Sequence, residues 1–245
     1  MSDLPEIIPQ IIPLADAERA KDAAVAALRE GRLVVVPTDT AYAVLADAFQ
    51  PLATRKVFDA KRRTRHVPLP VVIRSPRQAV GLVEGIPEPA ERLMASYWPG
   101  PVTLVLPAAE GLTWDLGESR GTVMLRMPAD ELVTSLVQEI GPLVCTGANR
   151  AGMPVPRTAQ EAAEQLGAAV AVVLDGGTRE AALSTVVDVS GERVEVLREG
   201  AVSEDDITDV ATGAVGWGMR PQRAVQEARH GSDDQPAAPG AAAEE

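Results

Sequence analysis

The sequence predicts a single α/β domain on a mixed, twisted sheet flanked by helices. Three observations lead there. Helical and strand patterns alternate irregularly, with strands in excess. Several strands are β-branched runs, such as Val34, Val35 and Val36, the composition of a central buried strand. The chain has 245 residues, 46% of them apolar, and no internal repeat, enough for one large core or two small ones.

Residues 15–30 carry apolar side chains at helical spacing and stop at Gly31, a natural left-handed residue after a helix. The strand at 33–36 follows. It runs into Pro37, Thr38, Asp39, Thr40 and Tyr42, after which the chain turns apolar again. Pro51 opens a helix to about Arg62, residues 68–73 form a strand, and Ser75-Pro76 starts a short helix. Residues 87–98 are helical until Trp98-Pro99-Gly100-Pro101 forces a turn. Strands at 102–107 and 122–128 flank a loop around Trp114. A helix at 130–140 precedes a buried strand at 142–146, which ends in Gly147-Ala148-Asn149. Thr158 with Glu161 forms a capping box for a helix to about Leu166. Strands follow at 169–177, 184–190 and 193–200, and Ser203 with Asp206 caps a last short helix. The expected layout is a lead-in at 1–14, a domain at 15–210, and a disordered acidic tail at 211–245.

Several chemistries are excluded by inventory. No apolar run approaches the ~18 residues of a transmembrane helix, and the N-terminus lacks a secretory pattern, so a cytoplasmic setting is expected. With only His66, His230 and Cys145, a zinc site is not expected, and neither is a haem or a flavin. A Ser-His-Asp or Cys-His site would need His66, which sits inside an Arg-rich segment, so covalent catalysis is not expected. A net charge of −12 argues against general nucleic-acid affinity. Against it stands the run 55–66, which holds two of the three lysines and four arginines. Such a run is either a solvated helix end or a polyphosphate or RNA contact.

The strands share polar ends: Thr38, Asp39 and Thr40; Arg126; Gly147 to Asn149; "LDGG" at 174–177 with Ser184 and Thr185; Arg198. Ligands of open α/β sheets gather where strands end, so these termini predict one shared cleft. Neither GxxxxGK[ST] nor GxGxxG is present, so a phosphate site here depends on Arg and Lys side chains.

The ordered motifs "PTDTAYAVLADAF", Lys61-Arg62-Arg63, "PLPVVI", "YWPGPVTLVLP", "GTVMLRMP", "CTGANRAG", "LDGG", "LSTVVDV" and "LREG" resemble those of the YrdC-like threonylcarbamoyl-AMP synthases over about residues 15–210. The resemblance implies a wide cleft and synthesis of threonylcarbamoyl-AMP and pyrophosphate from L-threonine, bicarbonate and ATP, for the t6A modification of tRNA. It implies Lys61, Arg63 and Thr40 at the reacting groups. It further implies Thr40, Arg126, Cys145 and Ser184 around threonine, and Lys61, Arg63, Thr122, Gly147, Asn149 and Arg198 around the nucleotide. No metal ligand is implied; Mg2+ would come with ATP, held by phosphate oxygens and water. A transient contact with tRNA or the t6A-transfer enzymes is implied as well.

The chain departs from the family pattern at Ala43, Gly147, Val155 and Glu199, and Val67 and Val72 stand where some members have Asn and His. Gly147 removes an expected hydroxyl, Glu199 would weaken Arg198, and Arg150 adds a cation near the site. These differences leave open a diverged paralogue that binds RNA or nucleotides, or acts on another carbamoyl substrate.

Overall fold

The computed structural model describes residues 9–180 and 182–221. Strands are β1 Gln10–Pro13, β2 Leu33–Pro37, β3 Tyr42–Asp47, β4 Val71–Val72, β5 Val102–Pro107, β6 Thr122–Arg126, β7 Leu143–Gly147, β8 Val170–Asp175, β9 Thr185–Asp188 and β10 Glu195–Arg198. Helices are α1 Ala17–Arg29, α2 Pro51–Lys61, α3 Pro76–Ala79, α4 Glu88–Tyr97, α5 Glu131–Ile140, α6 Ala159–Leu166 and α7 Glu204–Ala211. All ten strands form one mixed sheet in the order β1-β8-β2-β3-β7-β4-β6-β5-β9-β10.

Strand alternation decides what each face meets. Leu33, Val35, Tyr42, Val44, Val71, Leu104, Leu125 and Val144 face one core, shared with α2, α4, α6 and α7. Val34, Val36, Leu45, Val72, Leu143 and Val172 face the other, which only α1 and α5 cover. Two helices cannot roof ten strands. The uncovered part of that face, over β7, β4, β6, β5 and β9, is where a cleft opens.

Local signals act where the sequence placed them. Gly31, at φ 64°, ends α1, and Pro51 opens α2. Asp130, Thr158 and Ser203 each accept a hydrogen bond from the third residue on, capping α5, α6 and α7. The capping box is half made: Glu161 accepts from the Arg157 N–H instead of that of Thr158.

Two expectations are corrected and one unassigned stretch is filled in. Residues 10–13 are not lead-in but an edge strand, paired parallel with β8. The apolar stretch after Thr40 is itself a strand, β3, which pairs antiparallel with β2. Its connection is a threonine turn: Thr38 Oγ1 accepts from the Thr40 and Ala41 N–H groups and donates to Ala41 O at 2.7 Å. Order also continues past residue 211. Arg92 lies over the Trp217 ring at 5.1 Å, and Arg220 lies over Tyr97 at 5.4 Å and donates to Ser96 O at 2.9 Å. Residues 1–8 and 222–245, including His230 and most of the expected tail, lie outside the described residues. Among the described residues no helix is long and apolar enough to cross a membrane.

Ending the chain at Gly218 therefore has a cost. Loss of one charged hydrogen bond and one cation–π contact is worth about 2 kcal/mol. The melting temperature is expected to fall by about 5 °C against the full chain in scanning calorimetry. An unchanged melting temperature would show that Arg220 contributes nothing to the fold.

Candidate active site

The open face forms a cleft of about 600 Å3. Its floor comes from alternate strand positions, Val72, Thr103, Met124, Arg126, Cys145 and Val186. Its walls are the Thr38–Tyr42 turn, the end of α2, and the Gly147–Asn149 loop.

One end is built around Arg126, the last residue of β6 and only 7% exposed. Its Nε donates to Gly100 O at 2.9 Å, Nη1 to Thr40 Oγ1 at 3.2 Å, and Nη2 to Asp39 at 2.6 Å. Asp39 also accepts from the Ala129 N–H, so the turn after β2 and the loop after β6 are tied together through one carboxylate. Three of the guanidinium's five N–H groups are in use, and two remain for a ligand oxygen.

The other end is cationic. Arg63 donates to Val67 O, Pro68 O and Thr146 Oγ1, while Arg198 donates to Ser184 O and Oγ. Lys61, 4% exposed, donates to Gly147 O, Asn149 O and Asn149 Oδ1, so the ammonium is saturated by the β7 loop. Burial lowers the pKa of Lys61 to about 8, with neighbouring Arg63 pushing the same way. Burial lowers Arg63 as well, helped by Arg198, and lowers Arg198, helped by Arg126. Lys61, Arg63, Arg198 and Arg126 therefore form a row of successive cationic neighbours across the cleft. A row of like charges, buried at Lys61 and Arg126, half-buried at Arg63 and open to solvent at Arg198, favours a polyanionic ligand.

Thr40, Lys61, Arg63, Arg126, Cys145, Gly147, Asn149, Ser184 and Arg198 all line this cleft. Thr122 does not. It begins β6, about 13 Å along the strand from Arg126, and its hydroxyl donates to Ser119 O. Cys145 lines the floor as a thiol: burial pushes its pKa up to about 12, which leaves no thiolate near neutrality.

The departures read differently in three dimensions. Glu199 accepts from the Glu204 N–H at the start of α7, so its charge serves a helix N-terminus. A Cβ on Gly147 would lie 2.8 Å from Asn149 Oδ1, so here glycine makes room for the amide that helps hold Lys61. Arg150 lines a different groove. The basic run does not present one RNA-binding face: Lys61 and Arg63 enter the cleft, Arg65 pairs with Asp115, and Lys56 donates to Gly31 O.

Two hydroxyls escaped the sequence reading. Thr103 donates to Ser184 Oγ at 3.0 Å, and Thr146 accepts from Arg63. A signal for Thr103 existed, since it is the one polar residue in the strand "VTLVLP". Ser184 in turn rests against Gly200. A Cβ there would meet Leu183 O and also Ser184 C and O at 2.7 and 2.8 Å, all rigid backbone. Gly200→Ala is therefore expected to cost about 2–3 kcal/mol and to lower the melting temperature by about 5–10 °C. A thermal melt of the variant within 1–2 °C of the parent, roughly the experimental scatter against ~2–4 °C per kcal/mol, would show that the backbone yields.

The Sua5–YciO–YrdC family model, described as telomere recombination, matches residues 26–200. A putative threonylcarbamoyl-AMP synthase of Mycobacterium tuberculosis is 45% identical over 188 residues, covering 76% of this chain and 87% of its own. The threonylcarbamoyl-AMP synthase of Pyrococcus abyssi is 37% identical over 185 residues, 75% of this chain and 54% of that protein. The crystal structure of P. abyssi Sua5 complexed with L-threonine matches with a TM-score of 0.76 at 33% identity, covering 86% of this chain and 61% of that one.

Proposed function

The chain belongs to the Sua5–YciO–YrdC family, and from that premise we propose that it is a threonylcarbamoyl-AMP synthase working in the cleft described above. The amine of L-threonine forms a C–N bond with the carbon of bicarbonate, water leaves, and a carbamate results. A carbamate oxygen then bonds to the α-phosphorus of ATP, the bond to the β-phosphate bridging oxygen breaks, and pyrophosphate departs. No protein nucleophile takes part. Positioning and charge neutralisation supply the catalysis.

The carrying observation is the row of four cations that joins the Arg126 end to the Lys61 end within one cavity. In this reading the free N–H groups of Arg126, with Thr40 and Ser184, hold the carboxylate and hydroxyl of threonine. Arg63 and Arg198 hold the phosphates with their remaining N–H groups, and Lys61, whose own donors are taken by the β7 loop, contributes its charge and fixes Asn149 beside them. The arginines lie between the two reactants, where negative charge grows as the carbamate meets phosphorus. ATP would arrive with Mg2+ held by phosphate oxygens and water. The product would pass to the enzymes that place threonylcarbamoyl on tRNA.

The test is pyrophosphate release from purified protein with L-threonine, bicarbonate and ATP, and mass detection of threonylcarbamoyl-AMP. Release that requires all three substrates is expected. Release without threonine, or none at all, would remove the proposal.

A further inference from the structure

A second groove, of about 610 Å3, lies outside the cleft beside the C-terminal half of α2. Arg32, Lys56, Arg62 and Arg150 line it, with Asp59 as the one carboxylate among its lining residues and Leu166 among short apolar side chains. Four cations round one hollow, three of them exposed, make a local positive field on a chain whose net charge is −12, and such a field draws anions. Lys56 is already steered by its bond to Gly31 O at 2.7 Å, and Arg32 pairs with Glu30 at a solvated edge. Arg62 and Arg150 have no ion-pair partner among the described residues.

The backbone at Arg62 points the same way. Arg62 caps α2 at φ 49°, the left-handed conformation that glycine adopts most easily. A cation stands there at a conformational cost, and with Arg62 lining the groove the cost purchases a positive charge at its wall. On the same ridge Lys61 and Arg63 serve the cleft, while the Ala151 N–H donates to Lys61 O at 2.7 Å and holds the Arg150 loop alongside.

We propose that this groove is a second anion site, for a small molecule bearing three or more phosphates. The four cations line one hollow, its volume suits one compact ligand, and its apolar lining of Leu166 and alanines can take a nucleoside as well as the phosphates. Inorganic polyphosphate and a nucleoside polyphosphate share the required chemistry. An RNA backbone would call for an extended line of cations.

The test is calorimetric titration of the full chain with inorganic tripolyphosphate at low salt. Three proteins are compared: the parent, a cleft variant Arg63→Ala/Arg198→Ala, and a groove variant Arg62→Gly/Arg150→Ala. Glycine suits the backbone at position 62, so the groove variant should fold; if it melts early, Arg62→Gln/Arg150→Gln replaces it. The parent is expected to bind two equivalents and each variant one, with at least tenfold loss of affinity at the site removed. Binding to the groove is counted in the cleft variant, so the outcome does not depend on the reaction assigned to the cleft. A cleft variant that binds none, or a groove variant that still binds two, overturns the proposal. Repeating the titration with GTP separates the sources: tighter binding than tripolyphosphate in the cleft variant indicates a nucleoside ligand, and equal binding the phosphate chain alone. If bulk tRNA binds the cleft variant but not the groove variant, and tripolyphosphate binds neither at the groove, the site belongs to RNA and the small-molecule assignment fails.

Discussion

Arg126→Lys is expected to reduce threonine-dependent turnover at low threonine by about tenfold to a hundredfold, the worth of one or two charged hydrogen bonds. Lysine keeps the charge but not the planar fork. In the parent that fork already serves Gly100 O, Thr40 and Asp39, and only its remaining N–H groups can receive a substrate carboxylate. An ammonium has three donors in all, so it cannot serve the three protein oxygens and a ligand together. The effect should fall on the Michaelis constant for threonine, with that for ATP much less changed. Considered as a strand-end residue alone, Arg126 would be replaceable with little loss of stability; the buried pair with Asp39 alters that expectation. Their side chains are 8% and 17% exposed, and weakening such a pair leaves Asp39 poorly compensated. A loss of about 1–3 kcal/mol in denaturant unfolding should accompany the kinetic defect. Normal threonine turnover in the variant would show that Arg126 is not the carboxylate anchor.

Removing Lys61 should have the larger effect on ATP. Lys61→Ala deletes one cation of the row and leaves Gly147 O and Asn149 O without their donor, so the loop that lines the phosphate end loses its tether. A fall of about a hundredfold or more in kcat/KM for ATP is expected, from the lost charge and the displaced loop together. The pH profile isolates the charge. With a pKa lowered to about 8, the ammonium of the free enzyme is present below that pH and lost above it. The parent's kcat/KM for ATP should therefore decline with rising pH from about 8, and Lys61→Ala should lack that limb. Stability responds with the opposite sign. The folded pKa lies below the usual 10.5, so between about 8 and 10.5 the unfolded chain binds more protons and the cost of burying the Lys61 charge is progressively relieved as pH rises. Activity toward ATP and this group's contribution to stability should diverge across the same window. A flat profile for the parent would place the ammonium outside ATP binding.

Much of this protein follows from local chemistry and is legible in the chain. The buried run at Val34 to Val36, Pro51 at a helix start, and the caps at Asp130, Thr158 and Ser203 each depend on a few neighbouring residues, so their structure is written in those residues. The polar strand ends announced a shared cleft for the same reason: each termination is local, and parallel and antiparallel strands of one sheet must bring several of them together. What the chain could not disclose depends on long-range register. β1 is four residues whose strand character comes from pairing with β8, more than 150 positions later. β3 was hidden because the turn at Thr38 reads as polar site chemistry, and only its hydrogen bonds reveal a hairpin. Tertiary structure alone decided the direction of side chains that sequence lists together. Within Lys61-Arg62-Arg63, a left-handed residue sends the middle cation out of the cleft while its neighbours enter it. Glu199, one residue from Arg198, turns to the α7 N-terminus because an unsatisfied N–H lies within its reach. Asp39 and Arg126 meet across 87 residues, and no pattern in either segment specifies the partner. Adjacency along the chain fixes chemistry to within a residue or two, but which face a side chain serves is set by the sheet it belongs to and the helices that leave part of that sheet open.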